Sequence, residues 1–599
     1  MCGIVGYIGN KNVGNRLVNL LKNLEYRGYD SSGIAVQEND KILVTKSEGK
    51  ISNLEAILKP DNSITGIAHT RWATHGEPTT INAHPHCSSN KKWAIVHNGI
   101  IENFETLKRE IEDNSNLSFI SETDTEVISQ MLECYSDSNK TPISTLINVC
   151  NRLEGSYAIA CINNDLKDHI LLAKKKSPLY VTTTGNEVIV ASDPICFVDK
   201  VDSYYTLDEN EFCDASLLGF VFYNNNHEII EKTLTKMDII EKDIGKQSYP
   251  HYMLKEINEI PLVLQRIVKT YRDRDIMSQF NRSMMAKFNK IVLIGCGTAY
   301  HVALMGEKYI EKFSRFNARA FVASEFRYSN PIIDDNTLAI FVSQSGETAD
   351  TLAAAELARS KGATTIALTN VLYSSLAKKV DIVLPVCAGH EIAVASTKAY
   401  NAQITIMYMF SKHLENILMD NSFDFLCHIE SLSKQLKLPQ FMELQKVVEE
   451  ILKEHSSFFI GRDMDYITSE EASLKLKEIT YINSTAYPSG ELKHGFLALI
   501  ESGTPLFVIA TEKDLLDKTL NSAHEAYARG AKIILITQLD IEKEKCEFVH
   551  NLIKLQKFDE GIMPIVSIIV FQLISYYVSV EKGHNPDQPR NLAKSVTVE

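Results

Sequence analysis

Ile291-Val292-Leu293-Ile294-Gly295 runs into Cys296-Gly297-Thr298, and Phe458-Phe459-Ile460-Gly461 repeats the pattern further on. Each is a short apolar run that ends in glycine and precedes helical periodicity, as a buried parallel strand feeding a helix does. Thr337-Leu338-Ala339-Ile340-Phe341-Val342 pairs in the same way with Thr504-Pro505-Leu506-Phe507-Val508-Ile509, and the run Lys361 to Thr369 pairs with Arg529 to Thr537. The offsets are 166, 167 and 168 residues. A near-constant offset over three elements means a duplicated domain, and strands alternating with helices make each copy a doubly wound parallel α/β sheet. Such sheets bind ligands outside the carboxyl ends of their strands, so the turns after Gly295 and Val342 are where a site is expected.

Upstream of the repeat the pattern differs. The first 235 or so residues mix short strands (Lys41 to Thr45, Trp93 to Val96, Tyr157 to Cys161) with helical patterns (Gly14 to Leu24, Asp124 to Glu133), an α+β layout. A charged, weakly patterned stretch from Thr235 to Gln247 reads as a linker, and helical periodicity resumes over His251 to Tyr271.

The bulk properties set limits. A chain of 599 residues with 44% hydrophobic and 23% charged residues needs two to four globular domains. A net charge of -14, with no basic cluster interleaved with aromatics, argues against a nucleic-acid partner. The 11 cysteines contain no CxxC pair, so reduced thiols in the cytoplasm are expected. The N-terminus lacks a secretory pattern. The apolar stretch Ile562 to Val580 is interrupted by Pro564, Ser567, Gln572, Ser575 and Ser579, four of them on one side of a helix, which predicts a buried helix and no membrane span.

Removal of Met1 would leave Cys2 with a thiol and a free α-amine on one residue. The amine, with a reference pKa of about 7.7 to 8.0, can act as general base toward the thiol. Position alone makes this a weak signal, because a lone cysteine is usually an inert buried thiol. The neighbouring motifs strengthen it: Cys2-Gly3-Ile4-Val5-Gly6, Leu24-Glu25-Tyr26-Arg27-Gly28-Tyr29-Asp30-Ser31, His69-Thr70-Arg71-Trp72-Ala73-Thr74-His75-Gly76, His97-Asn98-Gly99, and Ser121-Glu122-Thr123-Asp124-Thr125. This set resembles the class-II glutamine amidotransferases, whose domain has the N-terminal-nucleophile hydrolase fold of αββα layers.

The resemblance implies attack of the Cys2 thiolate on the glutamine carboxamide, with Asn98 and Gly99 stabilising the oxyanion. It implies glutamine binding by Arg71, Trp72, Thr74, His75, Gly99 and Asp124, with Arg71 on the α-carboxylate, Asp124 on the α-ammonium and Trp72 gating ammonia. Two plainer readings stand beside it. Asn98-Gly99 is the commonest hairpin-turn dipeptide. His69, His75, His84, His86 and His97 could hint at a metal, with His84 and His86 on one strand face, but no third ligand is obvious and no metal is expected.

In the first repeat copy, Ser343-Gln344-Ser345-Gly346-Glu347-Thr348 follows a strand and precedes a helix, so hydroxyls and N-H groups could cradle a phosphate. Ser345-x-x-Thr348 also reads as an N-cap box. The turn Gly295 to Tyr300 lacks the third glycine of a dinucleotide fingerprint, so no nucleotide cofactor is expected. The second copy has Ala510-Thr511-Glu512-Lys513 in place of a phosphate loop. It carries Glu471, Lys475 and Glu478 on one helix face, which reads either as a solvated face or as chemistry.

Both turns resemble the SIS domain, a phosphosugar module, over roughly Lys290 to Glu599. Gly490-Glu491-Leu492-Lys493-His494-Gly495 and the tail Asp587 to Glu599 then make the whole chain similar to the isomerising glutamine:fructose-6-phosphate aminotransferase family. That resemblance implies ammonia transfer from glutamine to fructose-6-phosphate and isomerisation to glucosamine-6-phosphate, the first step toward UDP-N-acetylglucosamine, with no cofactor. His494 would open the sugar ring and serve the neighbouring subunit of a homodimer. Lys594 would hold the ketose as an imine, and Glu478, with Lys475 nearby, would move the proton between C1 and C2. Cys296, Gly297, Thr298, Ser343, Gln344, Ser345, Thr348, Val394 and Ser396 would hold phosphate and sugar hydroxyls.

The implied layout is a glutaminase domain over 2–237, a linker over 238–250, SIS domains over 280–425 and 448–590, and a tail over 585–599 closing the sugar site. Ala299, Phe496 and Lys174-Lys175-Lys176 depart from the family pattern and put local loop shape in question. Two rivals remain: another class-II amidotransferase, and a phosphosugar-sensing SIS regulator, which would need no proton-transfer set.

Overall fold

Every residue of the strand Gly3–Ile8 is buried, although its side chains point alternately to opposite faces. Ile4 and Ile8 enter one apolar cluster, whereas Val5 and Tyr7 enter another. A strand covered on both faces has to lie inside a layered stack. The computed structural model, which describes residues 2–10, 12–73, 75–115, 117–137, 139–237 and 245–597, shows that stack.

Among the described residues, the chain forms two compact units. One runs to Gly245 and takes in the chain end from Ala593, and the other is Lys246–Leu592. In the first unit an eight-stranded sheet places Gly3–Ile8 between Val188–Ala191 and Thr65–Arg71, antiparallel to both. A seven-stranded sheet centres on Trp93–Ile101, Gly155–Asn163 and Leu166–Lys175. Ile4, Ile8 and Ile67 of the first sheet meet Val96, Ala160 and Leu172 of the second in the cluster between them. Helix Val13–Lys22 covers the outer face of one sheet, and helices Glu126–Tyr135 and Pro142–Cys150 cover that of the other. This is the αββα order that the resemblance implied.

The second unit holds two five-stranded sheets, all parallel and built in the same order. Lys290–Gly295 lies between Ala318–Val322 and Thr337–Ser343, and Ser456–Gly461 lies between Asn483–Pro488 and Pro505–Ile509. The equivalent strands are those read from the sequence. The helical stretch expected over His251 to Tyr271 is instead two helices, Tyr252–Asn258 and Ile260–Asp273. Pro261 at the start of the second has no N-H to continue the first. Residues 238–244 of the expected linker lie outside the described residues.

Helix Met563–Glu581 is long and apolar enough to cross a bilayer by composition, but 94% of its apolar window is buried within the protein. Its polar residues are used internally. Gln572 Nε2 donates to Asn401 Oδ1 at 2.9 Å, and Ser579 Oγ donates to the Ile479 carbonyl at 2.8 Å. It is a core helix of the second unit, which explains why its polar residues share one side.

The departures from the family pattern are absorbed locally. Lys176 occupies a left-handed conformation (φ 65°) just before Ser177, and Glu209 holds the turn by accepting from the Lys176 N-H at 2.8 Å and pairing with Lys174. Phe496 is buried and packs edge-on against Phe458 with ring centroids 4.6 Å apart.

Candidate functional site

Cys2 is half-buried where Gly3–Ile8 begins beside the end of Thr65–Arg71. Its thiol is clamped by the backbone of one residue: the Trp72 N-H donates to Sγ at 3.3 Å, and Sγ faces the Trp72 carbonyl at 3.5 Å. Burial pushes the thiol pKa up, and the Trp72 N-H and Arg71 oppose that rise. A thiol in this setting needs a local base to become a nucleophile.

Asn98 and Gly99 do not form a turn. They lie inside the strand Trp93–Ile101, where Gly99 pairs with Tyr157. Gly99 has φ 134°, and a Cβ there would stand 2.0 Å from the Ser156 carbonyl oxygen, so only glycine fits this close approach. Asn98 Nδ2 donates to the Cys2 carbonyl at 3.1 Å. Behind it, His69 Nε2 lies 3.0 Å from Asn98 Oδ1 and 3.0 Å from the His97 carbonyl. Two acceptors at one ring nitrogen place the proton on Nε2, which orients the Asn98 amide with its NH2 toward Cys2. Burial takes His69 down to about 3, so it stays neutral at working pH.

His69 also stacks on His84 with centroids 4.1 Å apart, and His84 Nδ1 accepts from the His97 N-H at 3.3 Å. His97 Nδ1 lies 2.8 Å from Thr125 Oγ1. Among the described residues no group of His, Cys, Asp or Glu is arranged to hold a metal ion. The histidines form a packed, hydrogen-bonded wall behind Asn98.

Arg71 is buried, and its guanidinium holds the following loop by donating to the His75 carbonyl and, at 3.2 Å, to the carbonyls of Gly76 and Glu77. Trp72 packs edge-on against Tyr29, and His75 packs edge-on against Phe104. Asp124 is buried, and its Oδ2 accepts from the Ile101 N-H at 2.8 Å. Thr74 lies outside the described residues. Asp30 had no role assigned from sequence, yet its carboxylate accepts from the Ala73 N-H at 2.9 Å and so braces the same loop.

In the second unit the turns after two neighbouring strands meet. Ser343 ends the strand Thr337–Ser343. Its Oγ accepts from the Gly346 N-H at 2.9 Å and lies 3.3 Å from Thr348 Oγ1. Ser345 Oγ accepts from the Glu347 N-H at 3.2 Å, so the box Ser345-x-x-Thr348 is not formed. Thr348 instead precedes helix Ala349–Ser360 without a side-chain cap, leaving the helix N-terminus open for an anion. Gly346 (φ 68°) lets this loop close, since a Cβ would stand 2.0 Å from Ser374 Oγ.

Gly297 precedes helix Thr298–Tyr309, which starts at the neighbouring turn, and burial raises the thiol pKa of Cys296 there. Thr298 Oγ1 accepts from Lys475 Nζ at 2.9 Å and donates to Glu471 Oε1 at 3.1 Å. Lys475 also pairs with Glu478 Oε2 at 2.7 Å. Glu471 and Lys475 are wholly buried, and the Glu478 side chain is 20% exposed, so the charged face read from sequence is an interior cluster that opens at Glu478. Burial alone would depress the lysine pKa, but Glu471 and Glu478 hold it above its usual value. Lys475 is therefore a fixed cation and not a base.

Val394 and Ser396 lie on a loop fixed by buried carboxylates. Ser396 Oγ donates to Glu391 at 2.9 Å, and the Val394 N-H donates to the Asp587 carbonyl at 3.1 Å. The Asp587 carboxylate also accepts from the N-H groups of Tyr252 (2.9 Å) and Met253 (2.8 Å) at the start of helix Tyr252–Asn258. One residue thus ties the tail to the loop and caps a helix. Asp587→Ala is expected to cost about 1 to 2 kcal/mol as a lost cap, and to raise KM for the ligand of that loop. Calorimetry and saturation kinetics check both, and unchanged values would refute the role.

His494 ends a 3-10 turn with its side chain exposed, and among the described residues it bonds neither Lys475 nor Glu478. Lys594 is half-buried in the chain end that groups with the first unit.

The second copy is filled from within. At the turn matching Ser343, the Asp465 carboxylate accepts from the Thr511 N-H at 2.7 Å and from Thr511 Oγ1 at 2.6 Å. Burial raises Asp465 to about 7. An unfolded aspartate titrates near ~3.9, so the folded state binds the extra proton in between, and stability should fall as pH rises from about 4 to about 7. Asp465→Asn is expected to flatten that slope in melts at pH 5 and 8; the same slope in the variant would contradict it.

Comparisons with known proteins cover the whole chain. A glutamine amidotransferase domain model matches residues 69–199, and a SIS domain model matches 284–412 and 450–582. A glutamine–fructose-6-phosphate aminotransferase [isomerizing] of Clostridium tetani is 42% identical, and one of Bacillus cereus is 39% identical, each with both chains covered in full. Among solved structures, the C-terminal domain of glucosamine-fructose-6-phosphate aminotransferase from Francisella tularensis matches with a TM-score of 0.53 and 31% identity. It covers 58% of this chain and all of that one.

Proposed function

The chain belongs to the isomerising glutamine–fructose-6-phosphate aminotransferase family, and on that premise we propose that it hydrolyses glutamine at Cys2 and passes the ammonia to fructose-6-phosphate. The products are glutamate and glucosamine-6-phosphate, after ketose-to-aldose isomerisation. The observation that carries this reading is the pairing of two separate centres in one chain. One is a thiol beside an amide donor, Cys2 with Asn98; the other is a phosphate-type turn beside a buried Lys475–Glu478 pair.

In the glutaminase centre, with Met1 removed, the Cys2 amine takes the thiol proton and the thiolate attacks the carboxamide carbon. The Asn98 NH2 and the Gly99 N-H hold the developing oxyanion. Arg71 and Asp124 take the two ends of the amino-acid group, and Thr74 and His75 belong to the loop that Arg71 shapes. Ammonia leaves past Trp72, and water hydrolyses the thioester.

In the sugar centre, Ser343, Gln344, Ser345 and Thr348 cradle the phosphate at the helix N-terminus. Cys296, Gly297, Thr298, Val394 and Ser396 line the sugar. Lys594, brought by the tail 585–599, holds the open ketose as an imine. Glu478, paired with Lys475, then moves the proton between C1 and C2. His494 opens the ring. Its exposure supports action on the neighbouring subunit of a homodimer.

The domains run over 2–237, 280–425 and 448–590, joined by a linker at 238–250. The 11 cysteines, all free, suit a reducing cytoplasm. Incubation with fructose-6-phosphate and glutamine tests the reading: glucosamine-6-phosphate is expected, and glutamine hydrolysis without it would overturn the synthase assignment.

A further inference from the structure

Glu471 sits at the bottom of the sugar centre with no solvent exposure, so every lone pair it presents must be answered by the protein. Its Oε1 receives the Thr298 hydroxyl at 3.1 Å and faces the Lys475 ammonium at 3.4 Å. Among the described residues its Oε2 has one partner, His301 Nδ1, at 2.7 Å. His301 comes from helix Thr298–Tyr309 of the first sheet domain, and Glu471 from helix Met464–Thr480 of the second. The bond therefore joins the two copies at their shared site.

Lys475 Nζ donates to Thr298 Oγ1 at 2.9 Å and is ion-paired with Glu478 Oε2 at 2.7 Å and Glu471 Oε1 at 3.4 Å. The Thr298 hydroxyl spends its single proton on Glu471 while accepting from Lys475, so it can meet a sugar hydroxyl only as an acceptor. The direction of each bond in this chain depends on Glu471 being held in one rotamer.

We propose that His301 is a positioning residue of the sugar centre: its Nδ1-H fixes Glu471, Glu471 fixes the Lys475 ammonium, and Lys475 fixes Glu478 for proton transfer. The proposal rests on the reaction assigned above. Without His301, Oε2 of a buried carboxylate loses its only donor, and the carboxylate regains one by turning toward Lys475. That draws the ammonium away from Glu478. The phosphate turn Ser343 to Thr348 is untouched, so the loss falls on turnover and not on sugar affinity.

The test compares His301→Leu with His301→Asn, whose side-chain NH2 can stand where Nδ1-H stood. In His301→Leu, kcat for glucosamine-6-phosphate should fall roughly 10- to 100-fold, the scale of a misplaced catalytic group. KM for fructose-6-phosphate should stay within about twofold and glutamine hydrolysis should be unchanged, since neither phosphate grip nor Cys2 is altered. His301→Asn should restore kcat to within about threefold of wild type, because the donor returns. An unchanged kcat in His301→Leu, an equal loss in both variants, or a parallel loss of glutaminase activity would overturn the proposal. A wild-type protein that hydrolyses glutamine but forms no amino sugar would overturn the reaction itself, and is told apart because it needs no variant.

Discussion

Cys2→Ala is expected to abolish glutamine hydrolysis and glutamine-dependent product, by a factor of roughly 10³ or more, because it removes the thiol that would form the thioester. The thiol is held by the Trp72 backbone, and Asn98 is aimed at the same residue. Fructose-6-phosphate binding, measured by calorimetry, should be retained. The phosphate turn Ser343 to Thr348 belongs to the second unit, whose sheets carry their own apolar core. Loss of both activities together would contradict two separable centres, and residual hydrolysis close to wild type would remove Cys2 as nucleophile.

Glu478→Gln is expected to have a comparable effect at the other centre, lowering amino-sugar formation by roughly 10² to 10⁴ while glutamine hydrolysis continues. The substitution is nearly isosteric and removes only the group that can take and return the proton. It also leaves Lys475 with Glu471 as its remaining carboxylate partner. Glu478 is the member of the cluster that reaches solvent, so the variant should fold. Its melting temperature, measured alongside the rates, separates a chemical loss from a structural one. Full synthesis in Glu478→Gln would assign the proton transfer elsewhere.

Much of this was legible before any coordinates. Three offsets within two residues of one another fixed the duplication, because a parallel sheet demands the same buried strands in the same order in each copy. The Cys2, Arg71, Asn98 and Asp124 segments pointed to glutamine chemistry through their joint resemblance to the class-II glutamine amidotransferases. The helix Met563–Glu581 was readable as a core helix from the one-sided placement of its polar residues.

Other features could not be read. Asn98-Gly99 has the composition of a hairpin turn, and only pairing with Tyr157 shows that it continues a strand. Ser345-x-x-Thr348 has the spacing of a cap that the folded loop does not make. His301 carries no local signal, because its partner Glu471 lies 170 residues away.

Sequence by itself determined the fold classes and the duplication, since periodicity and repetition are local properties of the chain, and its motifs named the candidate reactive groups. Tertiary structure alone decided the state and aim of those groups. Glu471, Lys475 and Glu478 have the same spacing whether their helix face meets water or the protein interior. Burial turned that face into a fixed cation between two carboxylates, and packing set His69 behind Asn98 and His301 behind Glu471. The physical reason is that solvation and hydrogen-bond partners depend on what lies within a few ångströms in space, and spacing along the chain records only part of that.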